Sequence, residues 1–284
     1  MTPRLRAYGA LLFATVVWAA SFAVVRGALR DLPVFHLLAM RFTLGGALLL
    51  PAALRGRGRW FDPWSLGVAA ALFAGFALQT SGLRTIAPSR SAFLTGLAVL
   101  LVPPITWLLG RDRPRLGSVL GTLCALAGLY VLYLPSPGAT EGRFGVGDWL
   151  TAAATLAFAC HLLLVDRAVE QVAPGRLAAV QCLAVALLSA PSLVLDPPTV
   201  AEFTPRALAA VLLTGVLATA GAFLCQFYSQ QTLSATETAL VLTLEPALAA
   251  WISVAMGTEP FAGTLVAGGA LIVAGMGLAQ LRFG

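Results

Sequence analysis

The sequence is poor in charge and contains no lysine. Only 11% of its 284 residues are charged and 59% are hydrophobic, whereas a soluble domain carries roughly 25% charged residues. A mean hydropathy of +0.88 is too apolar for a water-facing surface, so we expect most of the chain to lie in lipid. The net charge of +6 comes entirely from arginine. Because these arginines lie between apolar runs, they indicate loops held on the cytoplasmic side rather than nucleic-acid binding.

Residues that bind metals or catalyse reactions are also scarce. Histidine occurs only at positions 36 and 161, and the four cysteines all lie inside apolar runs without metal-site spacing. We therefore expect no disulfide, no metal and no cofactor. The sequence has no H-E-x-x-H, G-x-S-x-G or G-x-x-x-x-G-K-[ST] pattern. Their absence argues against an intramembrane enzyme and against an ATP-driven pump.

What the chain does have is ten apolar runs. A helix needs about 20 such residues to cross a bilayer, and turn segments such as Asp31-Leu32-Pro33 separate the runs. The sequence thus predicts an all-α integral membrane protein with ten transmembrane helices. The runs lie at 8–29, 33–54, 65–85, 90–109, 115–134, 147–166, 174–195, 205–230, 236–256 and 261–281.

Arginine also predicts the orientation of these spans. With a cytoplasmic N-terminus, eleven arginines fall in cytoplasmic segments and five on the opposite side, which favours both termini in the cytoplasm of a bacterial inner-membrane protein. The eleven are Arg4, Arg6, Arg55, Arg57, Arg59, Arg111, Arg113, Arg115, Arg167, Arg176 and Arg282. The five are Arg30, Arg84, Arg90, Arg143 and Arg206.

The chain repeats itself. A shift of 140 residues aligns the first two runs with the sixth and seventh, and a shift of 147 aligns the third to fifth with the eighth to tenth. The matched pairs include Trp18 with Phe158, Ser21 with His161, Phe76 with Phe223, Gln79 with Gln226, Gly121 with Gly268 and Gly128 with Gly275. The matched glutamines carry the most weight because polar residues are rare in apolar runs. We expect two halves, at residues 1–138 and 139–284.

An odd number of spans in each half has a topological consequence. The second half must enter the membrane from the opposite face, which predicts two inverted five-helix repeats, the architecture of many secondary transporters. Two such halves can open a shared central site to either side in turn. A membrane channel or receptor-like protein without active transport is the alternative. Few fixed charges lie in the runs, so a transported solute is expected to be neutral, zwitterionic or amphipathic.

Several short motifs resemble those of a known family. They are W-A-A-S-F at 18–22, R-F at 41–42 followed by Pro51, S-A-F-L-T-G at 91–96, L-E-P at 244–246 and G-T-E-P at 257–260. In this order and spacing the sequence resembles EamA-type permeases of the drug/metabolite transporter superfamily. The first half departs from the family pattern after the fourth run, where Gly110-Arg-Asp112-Arg stands in place of a Gly-Glu pair.

The resemblance implies more than the residues do alone. It implies ten helices in two inverted repeats, with a central cavity lined mainly by spans one, three, four, six, eight and nine, and with spans five and ten at the periphery. Family members move amino acids, nucleobases, drugs or other metabolites, often outward. We therefore expect a metabolite exporter whose partners are a small-molecule substrate and membrane lipid. It would act as a monomer or homodimer, with proton coupling as an open hypothesis.

Polar and ionisable groups inside the spans are the candidates for function, since each is costly in hydrocarbon. Glu245 precedes Pro246, which can break the helix and free a carbonyl. A carboxylate there could bind a proton or cation, or it could hold the kink through a hydrogen bond. His161 could bind a carboxylate, stack on a ring or relay a proton, or donate to a carbonyl in a packed interior. It aligns with Ser21, which would face it across the cavity.

The remaining candidates follow from the repeat. Gln79 and Gln226 either line the cavity or bond between helices, and Tyr228 extends the polar stripe towards one face. Trp18 and Phe158 are cavity walls or packing residues. Arg41 lies about 12 Å past the start of its span at 1.5 Å per residue and therefore needs a partner. We expect this partner to be Asp31, with a substrate carboxylate as the alternative.

Overall fold

The fold was analysed in a computed structural model that describes residues 2–108, 116–132, 145–257 and 261–280. Within these ranges the chain is helical and has no strand, which confirms the all-α prediction. The expected boundary between the halves at 138/139, the departure at Gly110–Arg113 and the pair Glu259-Pro260 lie outside them. So do Arg115, Arg143 and Arg282 from the orientation count.

Each of the ten apolar runs contains helix in its described part. Eight helical segments in those ranges are long and apolar enough to cross a membrane, and the helices of the fifth and tenth runs are apolar but shorter. The α-helices are α1 Pro3–Ala28, α2 Val34–Arg55, α3 Pro63–Gly82, α4 Pro88–Gly96, α5 Ala98–Leu108, α6 Leu116–Leu132, α7 Val146–Gln171, α8 Pro174–Ser189, α9 Pro191–Leu195, α10 Pro205–Leu213, α11 Ala222–Gln230, α12 Ala235–Leu242, α13 Leu244–Ala255 and α14 Gly263–Gln280. A 3₁₀ turn spans Val200–Glu202, and a π-helix, Thr214–Gly221, joins α10 to α11.

Several of the predicted spans are interrupted. The fourth run breaks between α4 and α5 at Leu97, and the ninth breaks between α12 and α13 at Thr243. Pro246 lies in the first turn of α13, where a backbone N–H has no partner within the helix. The N–H that proline lacks therefore costs no hydrogen bond at this position. A methyl group added to Gly96 would lie 2.7 Å from the Pro246 ring. The two breaks therefore pack directly against each other.

Glycines set the closest helix contacts. An added Cβ on Gly128 of α6 would lie 2.7 Å from the backbone oxygen of Gly268 on α14, and one on Gly275 would lie 2.6 Å from that of Gly121. Residue number rises along α6 as it falls along α14, so the two helices are antiparallel. Small residues permit this backbone approach. These glycines therefore pack within the chain.

Polar contacts between segments cluster at the helix ends. At one end, Thr204 donates to Asp31 at 2.7 Å, and His36 lies 3.2 Å from Glu202. Arg90 donates to Asp148 at the same end, at 2.5 Å. At the other end, Arg4 contacts Glu237, and Arg176 lies over the ring of Trp60 at 5.0 Å. Between these two polar layers the interior is filled by apolar and aromatic side chains.

Candidate substrate cavity

A cavity lies among the described helices at the level of the helix breaks. The space within it and its open mouth together amount to about 860 Å³ not occupied by atoms. Seven of the nine residues singled out from the sequence line it: Trp18, Ser21, Gln79, Phe158, His161, Gln226 and Glu245. Tyr228 and Pro246 do not. Tyr228 lies on the outer face with 44% exposure, and Pro246 packs behind Glu245 against Gly96.

Aromatic rings form the wall of the cavity. Phe76 packs edge-on against Phe158 with centroids 5.5 Å apart, and Phe223 packs against Trp18 at 5.3 Å. These two pairs are equivalent under the sequence repeat. Phe76 and Phe223 meet each other at 6.1 Å, which joins the two halves of the wall. Phe42 extends the cluster, 5.0 Å from Phe76.

The matched glutamines both line the cavity and make hydrogen bonds. Gln79 Nε2 donates to the Thr95 hydroxyl at 2.9 Å and so ties α3 to α4. Gln226 Nε2 donates to Gln230 Oε1 at 2.8 Å on the same helix, and Gln230 in turn donates to the carbonyl of Leu162 on α7 at 3.1 Å. Gln79 thus both lines the cavity and bonds between helices, whereas Gln226 lines the cavity and bonds within its own helix.

His161 and Ser21 sit at equivalent places with different chemistry. His161 is buried, and its Nε2 donates to Gln181 Oε1 at 2.8 Å, because an amide oxygen can only accept. That bond leaves Nδ1 as the acceptor of a neutral imidazole. Ser21 donates to the carbonyl of Trp18 at 2.8 Å. The histidine is therefore held by a side-chain amide, and not by a backbone carbonyl as one prediction had it.

Glu245 lies in the first turn of α13 and faces the cavity. In the part of the chain that the structure describes, its carboxyl has no hydrogen-bond or ion-pair partner. The predicted alternative, a glutamate that holds the kink through a hydrogen bond, is therefore not what the structure has. A carboxyl at a helix break beside a cavity is free to interact with a solute or a cation.

The expected Arg41–Asp31 pair does not form. Asp31 lies at the polar end with Thr204 and is 4.0 Å from Arg206, whereas Arg41 is 1% exposed and lines the cavity. Arg41 Nε and Nη2 instead donate to the Thr219 hydroxyl at 3.2 and 3.1 Å. The prediction was wrong because α2 directs Arg41 inward, along the aromatic wall, rather than back towards its own N-terminus.

Among the lining residues that sequence reasoning did not place in the cavity are Phe76 and Phe223, whereas Arg41 was singled out but paired with Asp31. The repeat matched the two phenylalanines, so the signal for them was present. The same shift of 140 residues aligns Arg41 with Gln181, the partner of His161, and this would have pointed Arg41 to the cavity. Thr219 gave no signal, since its position depends on the π-helix.

These features define a class of protein. The described part of the chain is helical, has eight helices of membrane length and encloses a cavity, which makes it a multi-pass membrane protein. A model of the EamA-like transporter family matches residues 5–134 and 145–280. The chain belongs to this family and is a membrane transporter, as its relatives also indicate.

Two relatives and one solved structure cover most of the chain. An uncharacterized transporter of Archaeoglobus fulgidus is 29% identical over 279 residues, covering 98% of this chain and 87% of the relative. The aromatic amino acid exporter YddG of Ancylobacter novellus is 30% identical over 278 residues, covering 94% of each. A crystal structure that shares 26% identity covers 96% of both chains with a TM-score of 0.80.

Proposed function

We propose that this protein is a secondary transporter that moves a small organic metabolite outward across a bacterial inner membrane by alternating access. In this proposal ten helices form two inverted five-helix repeats around the cavity. The observation that carries it is the pair of equivalent aromatic contacts, Phe76–Phe158 and Phe223–Trp18, which enclose one cavity from its two sides. A site shared equally by two such halves is what alternating access requires.

The inverted arrangement is supported by the glycine contacts. Gly128 meets Gly268, and the residues equivalent to them under the 147-residue shift, Gly275 and Gly121, also meet. Such reciprocity is expected of a two-fold axis. Because α6 and α14 are antiparallel, the axis runs across the helices and hence in the membrane plane, which relates the halves by inversion.

The helix breaks support the same proposal. The break at Leu97 and the break at Thr243 are 146 residues apart, within one residue of the 147-residue shift of the repeat. Discontinuous helices near the midplane form the binding sites of many transporters. Here the two helix breaks lie next to Glu245 and the cavity. Movement of one half against the other would therefore change the surroundings of Glu245 and of the cavity.

The aromatic wall supports a cargo with an apolar or aromatic body. Flat rings offer large contact area to such a solute. The relative YddG is named as an exporter of aromatic amino acids. We therefore extend the proposal to amino acid-like, nucleobase or drug-like metabolites, with aromatic amino acids first among the solutes to be tested.

Counterflow in proteoliposomes tests the carrier proposal against the channel alternative. Vesicles are loaded with unlabelled phenylalanine, and uptake of labelled phenylalanine is measured over a range of concentrations. A carrier gives saturable uptake that internal substrate accelerates, because the loaded site reorients faster than it does when empty. Empty liposomes and the same panel with tryptophan, adenine and a hydrophobic cation are the controls. Uptake that is linear in concentration and insensitive to internal solute would contradict the proposal.

A further inference from the structure

Arg41 is a buried cation in the cavity wall that has no counter-ion among the residues the structure describes. Its guanidinium lies 5.0 Å from the centroid of Phe42 and 4.9 Å from that of Phe76. Across the described ranges no carboxylate forms an ion pair with it. Removing a charge from water costs several kcal/mol unless it is paired, and cation–π contacts offset part of that cost only.

The geometry of the guanidinium leaves donors for a ligand. Arginine has five N–H groups, and two of them, on Nε and Nη2, are taken by the Thr219 hydroxyl. Because the rings of Phe42 and Phe76 lie beside the guanidinium, the edge of the guanidinium is where an anion can bind. The three remaining N–H groups, on Nη1 and Nη2, form an edge that suits the two oxygens of a carboxylate.

We infer that Arg41, held by Thr219, binds the carboxylate of the transported solute, so that the cargo class is small organic acids with an apolar or aromatic body. This inference rests on the proposed transport function and names the chemistry of its substrate. The solute supplies the missing counter-ion, and its apolar body lies against the aromatic wall formed by Trp18, Phe76, Phe158 and Phe223.

Carboxylate fits this site better than phosphate. A phosphate group carries about −1.5 to −2 charges at neutral pH, and Arg41 is the one arginine among the lining residues, which also include the carboxyl of Glu245. The second negative charge would therefore be buried without a partner, at a large cost. A single carboxylate matches the single guanidinium.

The test compares solutes that differ only in their charge. Binding of 3-phenylpropionate, 3-phenylpropionamide and 2-phenylethylphosphonate to the purified protein is measured by calorimetry. The wild type is expected to bind the carboxylate about tenfold or more tighter than the amide, with the phosphonate weaker than the carboxylate. Arg41→Gln is expected to abolish the preference, whereas Arg41→Lys retains part of it because the charge remains without the paired donors.

Two further variants separate a binding role from a folding role. Thr219→Val keeps the branched shape that packs on Gly45 but removes the hydroxyl, and it should weaken carboxylate binding while leaving amide binding unchanged. Arg206→Gln, an exposed arginine at the polar end, is the matched control and should bind as the wild type does. Unfolding temperatures in detergent show whether each variant is folded.

The results also separate this inference from the transport proposal. No preference for carboxylate in the wild type, or an equal preference in folded Arg41→Gln, overturns the inference. In that case saturable counterflow of 3-phenylpropionamide would leave the carrier proposal standing. Carboxylate binding that depends on Arg41 without any counterflow would support the anion site and contradict the carrier.

Discussion

At the scale of single residues, the cavity holds two ionisable groups, a guanidinium and a carboxyl, that do not touch. Arg41 lies against the rings of Phe42 and Phe76, while Glu245 lies at the break before α13. Both face the same space, and they form no ion pair with each other. Their separation matters because a direct salt bridge would neutralise both groups and leave neither to bind a solute or a proton.

We predict that Glu245→Gln uncouples transport from a proton gradient. The amide keeps the size of the side chain but cannot titrate, so a carrier that uses this carboxyl would lose its response to the gradient. Counterflow without a gradient should persist, since no net proton movement is then required. Uptake into proteoliposomes is measured with and without a pH difference across the membrane.

The matched control for this experiment is Asp196→Asn, which removes an exposed acid at a loop and should behave like the wild type. His161 also lines the cavity and its imidazole can carry a proton, so His161→Gln is measured in parallel. Equal gradient dependence in Glu245→Gln and the wild type would remove Glu245 from a coupling role.

At the scale of helices, the π-helix Thr214–Gly221 breaks the equivalence of the two halves. It turns the Ala218 carbonyl towards Trp18, whose indole N–H donates to it at 2.8 Å, and it brings Thr219 to Arg41. Gly45 permits the approach, since an added Cβ there would lie 2.5 Å from Thr219. π-Helical turns often occur at functional sites. The equivalent segment of the first half, within α3, is an ordinary α-helix.

Glycine substitutions in α6 and α14 test the reciprocal packing. Gly128→Ala and Gly275→Ala each place a methyl group against a backbone oxygen under 3 Å away. Each should therefore cost about 1–3 kcal/mol of stability, by similar amounts. Gly277→Ala on α14 is the control, because its added Cβ meets nothing within 4 Å and alanine favours the helix by about 1 kcal/mol. Thermal unfolding in detergent is the measurement. Unequal effects of Gly128→Ala and Gly275→Ala would contradict the predicted symmetry, and an equal effect of all three variants would contradict the packing role.

At the scale of the whole molecule, polar contacts sort the connecting segments into two layers. His36 near the start of α2 contacts Glu202, whereas Trp60, past the end of α2, contacts Arg176. The 22 residues of α2 span about 33 Å at 1.5 Å per residue, close to the thickness of a bilayer core. The two layers thus lie as far apart as the two faces of a membrane.

We predict that cysteines at Arg59 and Val200 are labelled from opposite sides of the membrane. Both positions are exposed, and replacing the four native cysteines by alanine provides the background. In inside-out vesicles an impermeant maleimide should react with Arg59→Cys, and in whole cells with Val200→Cys, if the termini are cytoplasmic. Labelling of both from one side would contradict the inverted arrangement of the two halves.

Much of the site could be predicted from the sequence. A polar or bulky residue is rare in an apolar run, and the internal repeat shows which of these residues are equivalent. Gln79, Gln226, Trp18 and Phe158 were found in this way, and all four line the cavity. Tyr228 shows where the reasoning fails. It extends a polar stripe in sequence, yet the side chain lies on the outer face, because which face of a helix looks inward depends on its neighbours.

Composition and periodicity alone determined that this chain is helical and lies in lipid, since backbone groups in hydrocarbon must bond within a helix. The 140- and 147-residue shifts determined which residues are equivalent. Tertiary structure alone decided that Arg41 joins Thr219 rather than Asp31, because their meeting depends on a π-helix 178 residues away. Contacts between distant helices follow from the packing of whole surfaces, and no local pattern in the chain encodes them.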